Sequence, residues 1–510
     1  RLYEWERLRQ VPFQIDAYLP DGSPVLFVSV RITNPHQETV PMYWWSNIAV
    51  PETPRTRVIT PSSAAYSFGY GGVGLAKVPV PVLDGVDISY PTNIRRAADF
   101  FFHIPDGTRP WITALDEEGR GLVQVSTARL KGRKLFLWGA GEGGRRWQTF
   151  LSEPGHAYIE IQAGLARTQL EHLAMPARSE WTWIEAYGLM KADPAIVHGS
   201  DWQRASDSIA QRTEVLIPEV MLQQELARSS RRFDQPPVDM IQRGSGWGAL
   251  ALLARQRQGR PAFCSEGLVF DRTSLGEAQQ PWVSLLETGL MPVADPLDEV
   301  VGYVVDSTWR DRLEQAVRSD ADNWLQWLHL GVMRYHAGDQ SGARDAWYRS
   351  MARTGNPWAA RNLAVLACDE GLADEAVAYY TAALAHIPGH LPLVIESGRR
   401  LLSLGRAKEW LTLVEALPPS VRRVGRVRLL EGRAALETGD LDRVAVLFDG
   451  TLVVDDLREG ERSLSELWFE YHARRLSRDE GLPIDDALRA RVRRDIPVPV
   501  FLDFRMSGEK

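Results

Sequence analysis

The chain has little cysteine, no long hydrophobic run and no large excess of one charge. Two cysteines, Cys264 and Cys368, are too few for a disulfide framework or a cysteine-based zinc site and favour a reducing compartment. Because no run of about 18 apolar residues occurs, we expect no membrane-spanning helix. The net charge of −7 argues against a nucleic-acid partner. These absences predict a cytoplasmic protein without a membrane or nucleic-acid partner.

Short motifs of several common enzyme classes are also missing. The sequence contains no H-E-x-x-H motif, no Walker A motif and no G-x-S-x-G motif. The histidines of the N-terminal part lack the spacing of metal ligands: His36, His103, His156 and His198. We therefore expect no metal and no cofactor.

From Val11 to about Tyr187 the sequence has the two-residue period of β-strands. The stretch PVLFVSVRITN alternates apolar and polar residues, and turn residues such as Asp21-Gly22 separate the candidate strands. The candidates are 12–19, 24–33, 39–49, 110–115, 121–126, 133–139, 156–162, 167–173 and 180–187. Many short strands predict an antiparallel sandwich or barrel. Since strand-like sequence begins at Arg1, we expect the domain to start further upstream.

The C-terminal half contains an internal repeat, which follows helical periodicity that begins after Asp193. Turn glycines recur at intervals of 33, 34 and 34 residues: Gly338, Gly371, Gly405 and Gly439. Small residues recur in step: Gly331, Ala364, Gly398 and Gly432. The second unit adds a small, aromatic, small, proline order: Ala376, Tyr380, Ala383 and Pro388.

This pattern resembles the tetratricopeptide repeat family, in which small residues let paired helices pack closely. Trp410 and Val444 stand where the third and fourth units should have alanine. Residues 320–475 are thus expected to form at least four antiparallel helix pairs stacked as a right-handed superhelix.

Two stretches of the N-terminal half resemble aldose epimerases of the galactose-mutarotase superfamily. In TNPHQETVPMYWWSNIAVPE, a strand turns and returns as an aromatic strand that ends in Asn47. Later, Ile159-Glu160-Ile161-Gln162 fits a family motif whose glutamate is the catalytic base. The family's catalytic histidine has no counterpart among residues 43–46. The resemblance implies sugar chemistry that depends on Glu160.

The stretches YWWSN, GGRRWQ, EIQAG, TQ and EWTWIEAYG are similar to an uncharacterised bacterial family of mutarotase-like domains fused to tetratricopeptide repeats. This resemblance covers nearly the whole chain. It implies an α+β multidomain protein, with an antiparallel β-sandwich followed by an α-helical solenoid. The expected divisions are a sandwich portion at 1–192, a helical or irregular linker at 193–319, repeats at 320–475, and a C-terminal cap and tail at 476–510.

Three carboxylates are candidate catalytic groups. Glu160 shares one strand face with Tyr158 and Gln162, which predicts either a cleft floor with a general base or nucleophile, or a solvent-facing row. A glycosidase needs a second carboxylate within about 5–10 Å. Glu171 or Glu185 could supply it.

Candidate sugar-binding groups lie in the aromatic strand and in the stretch before Glu160. Trp44 and Trp45 point to opposite faces, so at most one of them stacks on a sugar, with Asn47 beside it. Gly143-Gly144-Arg145-Arg146-Trp147 is interpreted as a turn between strands. Its arginines could clamp a carboxylate, a phosphate or Glu160 itself. The alternative is a hairpin held by an arginine–glutamate pair.

The predicted function is a carbohydrate-active sandwich, acting as hydrolase or epimerase, with repeats that contact a partner chain or a second copy. The alternative is a non-catalytic glycan-binding or scaffolding protein. Residues 61–98 are rich in glycine and proline, and a loop of this length is commonly a lid. We expect it to cover the face that holds Glu160, with anchors and hinge at Tyr66, Phe68, Tyr70 and Gly71-Gly72.

Overall fold

The computed structural model describes residues 1–69 and 74–506, and the chain forms two compact units. The first unit contains Arg1–Gly244, Arg260–Phe270 and the residues from Pro499 onward. The second contains Ser245–Gly259 and Asp271–Val498. The finer boundaries expected at residues 192, 319 and 475 remain predictions.

The first unit is built on two antiparallel sheets. Its strands are β1 (Leu2–Glu6), β2 (Val11–Tyr18), β3 (Val25–Asn34), β4 (Val40–Met42), β5 (Trp45–Pro51), β6 (Arg57–Ile59), β7 (Ala64–Gly69), β8 (Ala76–Pro79), β9 (Val82–Leu83), β10 (Val86–Asp87), β11 (Ala98–Phe102), β12 (Trp111–Leu115), β13 (Arg120–Ser126), β14 (Gly132–Leu137), β15 (Tyr158–Gly164), β16 (Leu173–Met175) and β17 (Ser179–Lys191). Among the described residues, a seven-stranded sheet has the order β1-β2-β3-β17-β13-β12-β6, and a six-stranded sheet has the order β5-β15-β14-β11-β7-β8. Two short pairs, β9 with β10 and β4 with β16, complete the strands.

The two sheets pack face to face, as in a β-sandwich. Ile112 and Ala114 of the seven-stranded sheet share one buried cluster with Leu135, Ile159 and Ile161 of the six-stranded sheet. Because side chains alternate along a strand, these inward positions leave the neighbouring residues of β15 on the opposite side of the sheet. The antiparallel sandwich expected from the period-two pattern is confirmed.

Among its described residues, this unit has four α-helices: α1 (Glu142–Leu151), α2 (Pro194–Val197), α3 (Trp202–Leu216) and α4 (Glu219–Arg232). The far side of the seven-stranded sheet is covered by α3 and α4. Ile209 of α3 and Leu222 of α4 lie in one buried cluster with Val125 and Ile184. The six-stranded sheet therefore carries the outer face that these two helices leave uncovered.

The described parts of 61–98, residues 61–69 and 74–98, contain the strands β7 to β10 rather than the continuous loop that we expected. β7 pairs with β11 and β8 inside the six-stranded sheet, and Tyr66 and Phe68 lie opposite Phe101 and Asp99. The two aromatic residues therefore belong to the sheet instead of covering it. Small residues and prolines blur the alternation here, so sequence periodicity missed these strands. The other expected anchor and hinge, Tyr70 and Gly71-Gly72, lie outside the described residues.

The second unit is helical, and its repeats follow the predicted register. Its helices are α5 (Gly246–Arg257), α6 (Gln280–Thr288), α7 (Ser307–Ser319), α8 (Trp324–His336), α9 (Gln340–Thr354), α10 (Pro357–Asp369), α11 (Ala373–His386), α12 (Leu391–Ser403), α13 (Ala407–Glu415), α14 (Pro419–Arg422), α15 (Gly425–Thr438), α16 (Leu441–Ala445), α17 (Ser463–Glu480) and α18 (Asp486–Asp495). Short turns of 3₁₀-helix occur in this unit at Arg272–Ser274 and Val446–Phe448, and in the first unit at Pro91–Asn93 and Val500–Leu502.

The repeating glycines separate the two helices of each pair. Gly338, Gly371, Gly405 and Gly439 have φ angles of 83°, 75°, 71° and 84°. This left-handed conformation ends a helix and is one that glycine adopts without steric cost. The pairs α8–α9, α10–α11, α12–α13 and α15–α16 pack in contact. The tetratricopeptide-type helical part is thus confirmed, whereas the right-handed superhelix remains a prediction.

The third and fourth pairs depart from the repeat where the sequence departs. Trp410 is fully buried, and a Cβ added at Gly398 would lie 2.7 Å from its ring. Since a tryptophan replaces the usual small residue, the partner position must itself be glycine. Helix α16 has only five residues before a turn of 3₁₀-helix begins.

We expect the second unit to lose stability in acid because of His329. This imidazole is buried in α8, 4.8 Å from the ring of Trp282, and burial lowers its pKa from 6.5 to about 4. Below pH 6.5 the unfolded chain takes up the proton first. The free energy of unfolding should therefore fall by up to about 1.4 kcal/mol per pH unit as pH drops from 6.5 to 4.

Urea unfolding followed at several pH values checks this. His329→Leu should reduce the slope by that amount, whereas His336→Gln, at the exposed end of the same helix, should retain it. An unchanged slope in His329→Leu would contradict the assignment.

Candidate functional site

The outer face of the six-stranded sheet brings together side chains from all six of its strands. We use "outer face" for the side turned away from the seven-stranded sheet. The strand register places one row across it: Asn47, Gln162, Lys134, Phe101, Tyr66 and Lys77. The adjoining row contains Ala49, Glu160, Phe136, Asp99 and Phe68. Polar and aromatic side chains occur together in both rows, as in a surface that binds a polar ligand with apolar faces.

Trp45 lies across the sheet beside these rows. A Cβ added at Gly164 would be 1.7 Å from its ring, and one added at Gly132 would be 2.7 Å from it. The ring therefore occupies the space that two side chains would otherwise fill, and it stays partly exposed. The two glycines are what allow an indole to lie on this face.

A chain of hydrogen bonds links Trp45 to Glu160. The indole Nε1 donates to Oε1 of Gln162 over 2.5 Å, and Nε2 of Gln162 donates to the Glu160 carboxylate over 2.8 Å. Gln169 also donates to Gln162 Oε1, over 3.3 Å. Glu160 is half-buried on the strand face that it shares with Gln162, as the sequence predicted. These hydrogen bonds fix the orientation of the Gln162 amide and hold the Glu160 carboxylate in place.

A second carboxylate, Asp99, lies in the same row as Glu160. One strand separates them, which corresponds to about 9.5 Å between their Cα atoms. Asp99 is buried and forms an ion pair with Lys134 over 2.6 Å. Lys134 also donates to Gln169 over 2.6 Å. The sequence-based prediction did not include Asp99. Its alternation with Phe101 and His103 would have placed these three residues on one face.

The stretch Gly143–Trp147 is helix, not the turn or hairpin that we expected. It forms α1, which begins after Gly141 and has Glu142 in its first turn. A Cβ added at Gly143 would be 1.9 Å from the carbonyl oxygen of Arg505. The glycine pair was interpreted as a turn signal, but close packing of a distant backbone is what requires it.

The two arginines of α1 do not pair with Glu160. Arg145 forms an ion pair with Glu52 over 3.0 Å, and the guanidinium of Arg146 lies 5.0 Å from the ring of Phe504. Burial raises the pKa of Glu52, and the charge of Arg145 opposes this shift. An arginine–glutamate pair, as expected under the hairpin alternative, therefore exists, and its acid is Glu52.

Trp147 is enclosed by protein. Its ring stacks on Trp138 at 5.6 Å, and its Nε1 donates to the carbonyl oxygen of Phe504 over 2.9 Å. The ring of Phe504 packs edge-on against it, with the ring centroids 5.0 Å apart. Met506 accepts a backbone hydrogen bond from Ala97, so the C-terminal segment docks at this end of the outer face. The structure thus places Trp147 against the protein's own C-terminal segment, apart from Trp45.

Glu185 and Trp44 lie between the two sheets, on the opposite side of the six-stranded sheet from Glu160. Glu185 accepts hydrogen bonds from Ser46 and Tyr187, each over 2.7 Å. Burial raises the pKa of Tyr187, and burial lowers the pKa of the nearby Arg133 to about 10. Trp44 packs against Trp183 in the same interior. The structure does not bring these two candidates to the outer face.

Glu171 lies in an exposed turn at the rim of the outer face. The strand expected over 167–173 does not form there, because the carboxylate of Glu171 accepts from both the backbone and the hydroxyl of Thr168, each over 3.0 Å. Such a local bond stabilises a turn instead of an extended strand. Among the three carboxylates predicted, Glu160 is the one set into the sheet of the outer face.

A cluster of basic groups borders the face beyond Tyr66. Arg167 donates to Nδ1 of His103 over 3.1 Å and to both oxygens of Asp106 over 3.0 Å. The ring of His103 lies 5.8 Å from that of Tyr66. Burial lowers the pKa of His103, and the charges of Lys77 and Arg167 lower it further. From the sequence alone, the only expectation for His103 is that it is not a metal ligand, so the basic cluster was not predicted.

Within the part of the chain that the structure describes, no group of three or more His, Cys, Asp or Glu side chains is placed to hold a metal ion. No helix in these residues has the length and apolar character needed to cross a membrane.

Comparison with known proteins finds relatives of both units. Residues 4–179 match the family model described as "Domain of unknown function (DUF5107)". A TPR-domain containing protein from Parabacteroides distasonis ATCC 8503 is similar over 99% of this chain and 74% of that chain, with 16% identity and a TM-score of 0.59. A putative aldose 1-epimerase from Escherichia coli K12 is similar over 37% of this chain and 64% of that chain, with 12% identity and a TM-score of 0.29. For a tetratricopeptide repeat protein from Parabacteroides merdae ATCC 43184, the shares are 37% and 71%, the identity is 17% and the TM-score is 0.27.

Both parts of the resemblance expected from the sequence thus recur among the matches, with an aldose 1-epimerase on one side and tetratricopeptide repeat proteins on the other. The match of 0.59 extends over nearly the whole chain and concerns the fold. In fold, the chain is an antiparallel β-sandwich joined to tetratricopeptide-type helical repeats, and its residues 4–179 match a domain family of unknown function.

Proposed function

We propose that the outer face of the six-stranded sheet binds a saccharide. The observation that carries this proposal is the indole of Trp45, which lies on Gly164 and Gly132 and is hydrogen-bonded to Gln162. A flat, apolar aromatic face matches the C–H face of a pyranose ring, and a fixed amide beside it can bind a pair of hydroxyl groups.

The side chains beside Gln162 are suited to binding sugar hydroxyl groups. Asn47 is exposed directly opposite Gln162, and the Glu160 carboxylate is held two residues along the same strand. Amide and carboxylate groups together offer both donors and acceptors to sugar hydroxyls. Buried Lys134 and Asp99 neutralise each other beneath them, so the floor of the face carries little net charge.

Trp45→Ala is the direct test. Truncating a tryptophan at the centre of a binding site typically costs about 2 kcal/mol or more, equal to roughly 30-fold in affinity. We expect a loss of that size for any glycan that the wild type binds, measured by a glycan array and then by calorimetry. Tyr303→Ala, which removes an exposed aromatic ring from the helical unit, is the control and should bind normally.

Equal affinity of Trp45→Ala and wild type would overturn the proposed site. Binding that is lost in both variants would place the saccharide elsewhere on the protein.

Catalysis at Glu160 is a second candidate function, as hydrolysis or epimerisation. The observation that favours it is Asp99, a second carboxylate in the same row of the outer face, one strand away from Glu160, because glycosidases act with a pair of carboxylates. The ion pair with Lys134 would hold the Asp99 carboxylate in place for a general-base or an electrostatic role. Glu160 would then act as the proton donor or, in an epimerase, as the base.

The helical repeats are proposed to bind a protein partner or a second copy of the chain. Paired helices that stack in a repeat present an extended surface for such contacts. A cytoplasmic location is part of the same proposal.

A further inference from the structure

The border of the outer face beyond Tyr66 has an excess of positive charge. We call Lys77, His103 and Arg167, together with Lys131 and Asp106, the basic corner. Lys131 lies 3.9 Å from Asp106, which also accepts two hydrogen bonds from Arg167. The carboxylate of Asp106 therefore pairs with two cations, Lys131 and Arg167, and Lys77 adds a third positive charge. Three positive charges against one negative charge leave a net charge of +2.

His103 does not add to this charge. Its Nδ1 accepts a hydrogen bond from Arg167, so the ring proton lies on Nε2 and the imidazole is neutral. The pKa of His103 is lowered by burial first and then by Lys77 and Arg167, which keeps it neutral near pH 7. Lys77 and Arg167 therefore both act at the position of His103, where they would stabilise a negatively charged group.

The basic corner adjoins the indole of Trp45. The ring of Phe101, in β11, lies 6.0 Å from the indole of Trp45, and His103 follows Phe101 by two residues, directly after the end of β11. Neighbouring strands are about 4.8 Å apart, so a sugar ring on Trp45 would extend its substituents to the corner. Lys77 approaches from the other side, because it lies directly opposite Tyr66.

We propose that the saccharide bound on Trp45 carries an anionic substituent, a carboxylate or a sulfate ester, which the basic corner binds. This inference rests on the proposed function and specifies its ligand class. Lys77 and Arg167 would donate charge-assisted hydrogen bonds to the anion, and Nε2–H of His103 would supply a neutral one. A uronic acid and a sulfated sugar present the same chemistry to these donors.

Matched pairs of polymers test the charge and its source. Affinity electrophoresis is run with polygalacturonate and its full methyl ester, and with a sulfated galactan and the same galactan after desulfation. We expect the wild type to bind one of the charged polymers about tenfold more tightly than its uncharged counterpart, the contribution of one charge-assisted hydrogen bond. The pair that shows the preference identifies carboxylate or sulfate.

Lys77→Gln and Arg167→Gln locate the effect. Lys77 is exposed on an edge strand, so its replacement should leave folding intact. Each variant should lose at least about threefold of the preference for the charged polymer. Lys191→Gln removes an exposed charge from the seven-stranded sheet and should retain the preference in full.

The outcomes separate this inference from the proposed function. If wild type binds the charged and uncharged polymers equally and Trp45→Ala abolishes that binding, saccharide binding stands and the anionic class is overturned. A preference that Lys77→Gln and Arg167→Gln both preserve also overturns it. If none of the four polymers binds, both the proposed function and this inference are overturned.

Discussion

Glu160→Gln is expected to lower the rate of any sugar conversion at the outer face by about 10²–10⁴-fold, the usual contribution of a general acid or base. Glutamine retains the shape of the side chain and one acceptor oxygen for the amide of Gln162, so the hydrogen-bond chain from Trp45 should survive. Saccharide affinity should change far less than turnover. The measurement is steady-state kinetics on glycosides that the wild type converts, with affinity measured separately.

The other two carboxylates are natural controls for Glu160→Gln. Glu171→Gln alters an exposed turn and should leave turnover unchanged. Glu185→Gln alters the interior between the sheets, near the buried Arg133, and should lower the thermal midpoint instead of the rate. Wild-type turnover in Glu160→Gln would show that the site is wrong. Binding without any turnover in the wild type would remove the catalytic candidate and leave the binding function.

Trp147→Ala is expected to lower the free energy of unfolding of the first unit by about 3–5 kcal/mol, as when a buried aromatic residue is truncated. Trp147 is 1% exposed, stacks on Trp138 and donates to the carbonyl of Phe504. Its loss leaves a cavity and removes a contact that holds the C-terminal segment. Chemical denaturation measures the stability, and limited proteolysis reports release of that segment.

Leu151→Ala, at the exposed end of α1, is the matched control. It should change stability by less than about 0.5 kcal/mol. Trp147→Phe keeps an aromatic ring and loses the hydrogen bond, so its cost should be intermediate. A loss below about 1 kcal/mol in Trp147→Ala, with normal resistance to protease, would contradict the structural role.

Several features of the site followed from the strand period alone. Glu160 and Gln162 are two residues apart, so they had to share a face, and they are hydrogen-bonded to each other. Trp44 and Trp45 are adjacent, so their side chains had to point to opposite faces of the sheet. Of the two, Trp45 lies on the outer face. Which of the two would do so depended on the opposite sheet, and local sequence does not report this.

Other predictions made from the sequence were wrong for an identifiable physical reason. The glycine pair of α1 looked like a turn because glycine commonly supplies left-handed backbone, yet Gly143 serves to admit the backbone of Arg505, more than 350 residues later. Arg145 pairs with Glu52 because helix formation turns it away from Glu160. Contacts between positions so far apart in sequence leave no local periodic signal.

The sequence by itself determined the secondary-structure class of each half. A hydrophobic period of two residues buries one face of a β-strand, and a period of about 3.6 residues buries one face of an α-helix. It also determined the repeat register, since the left-handed conformation that ends each first helix favours glycine at Gly338, Gly371, Gly405 and Gly439. Only the tertiary structure decided which face of the six-stranded sheet stays open, which aromatic ring lies on it, and which charges border it. Those outcomes depend on strand order and register, through which Lys77, His103, Lys134 and Glu160 meet across the sheet despite their separation in the chain.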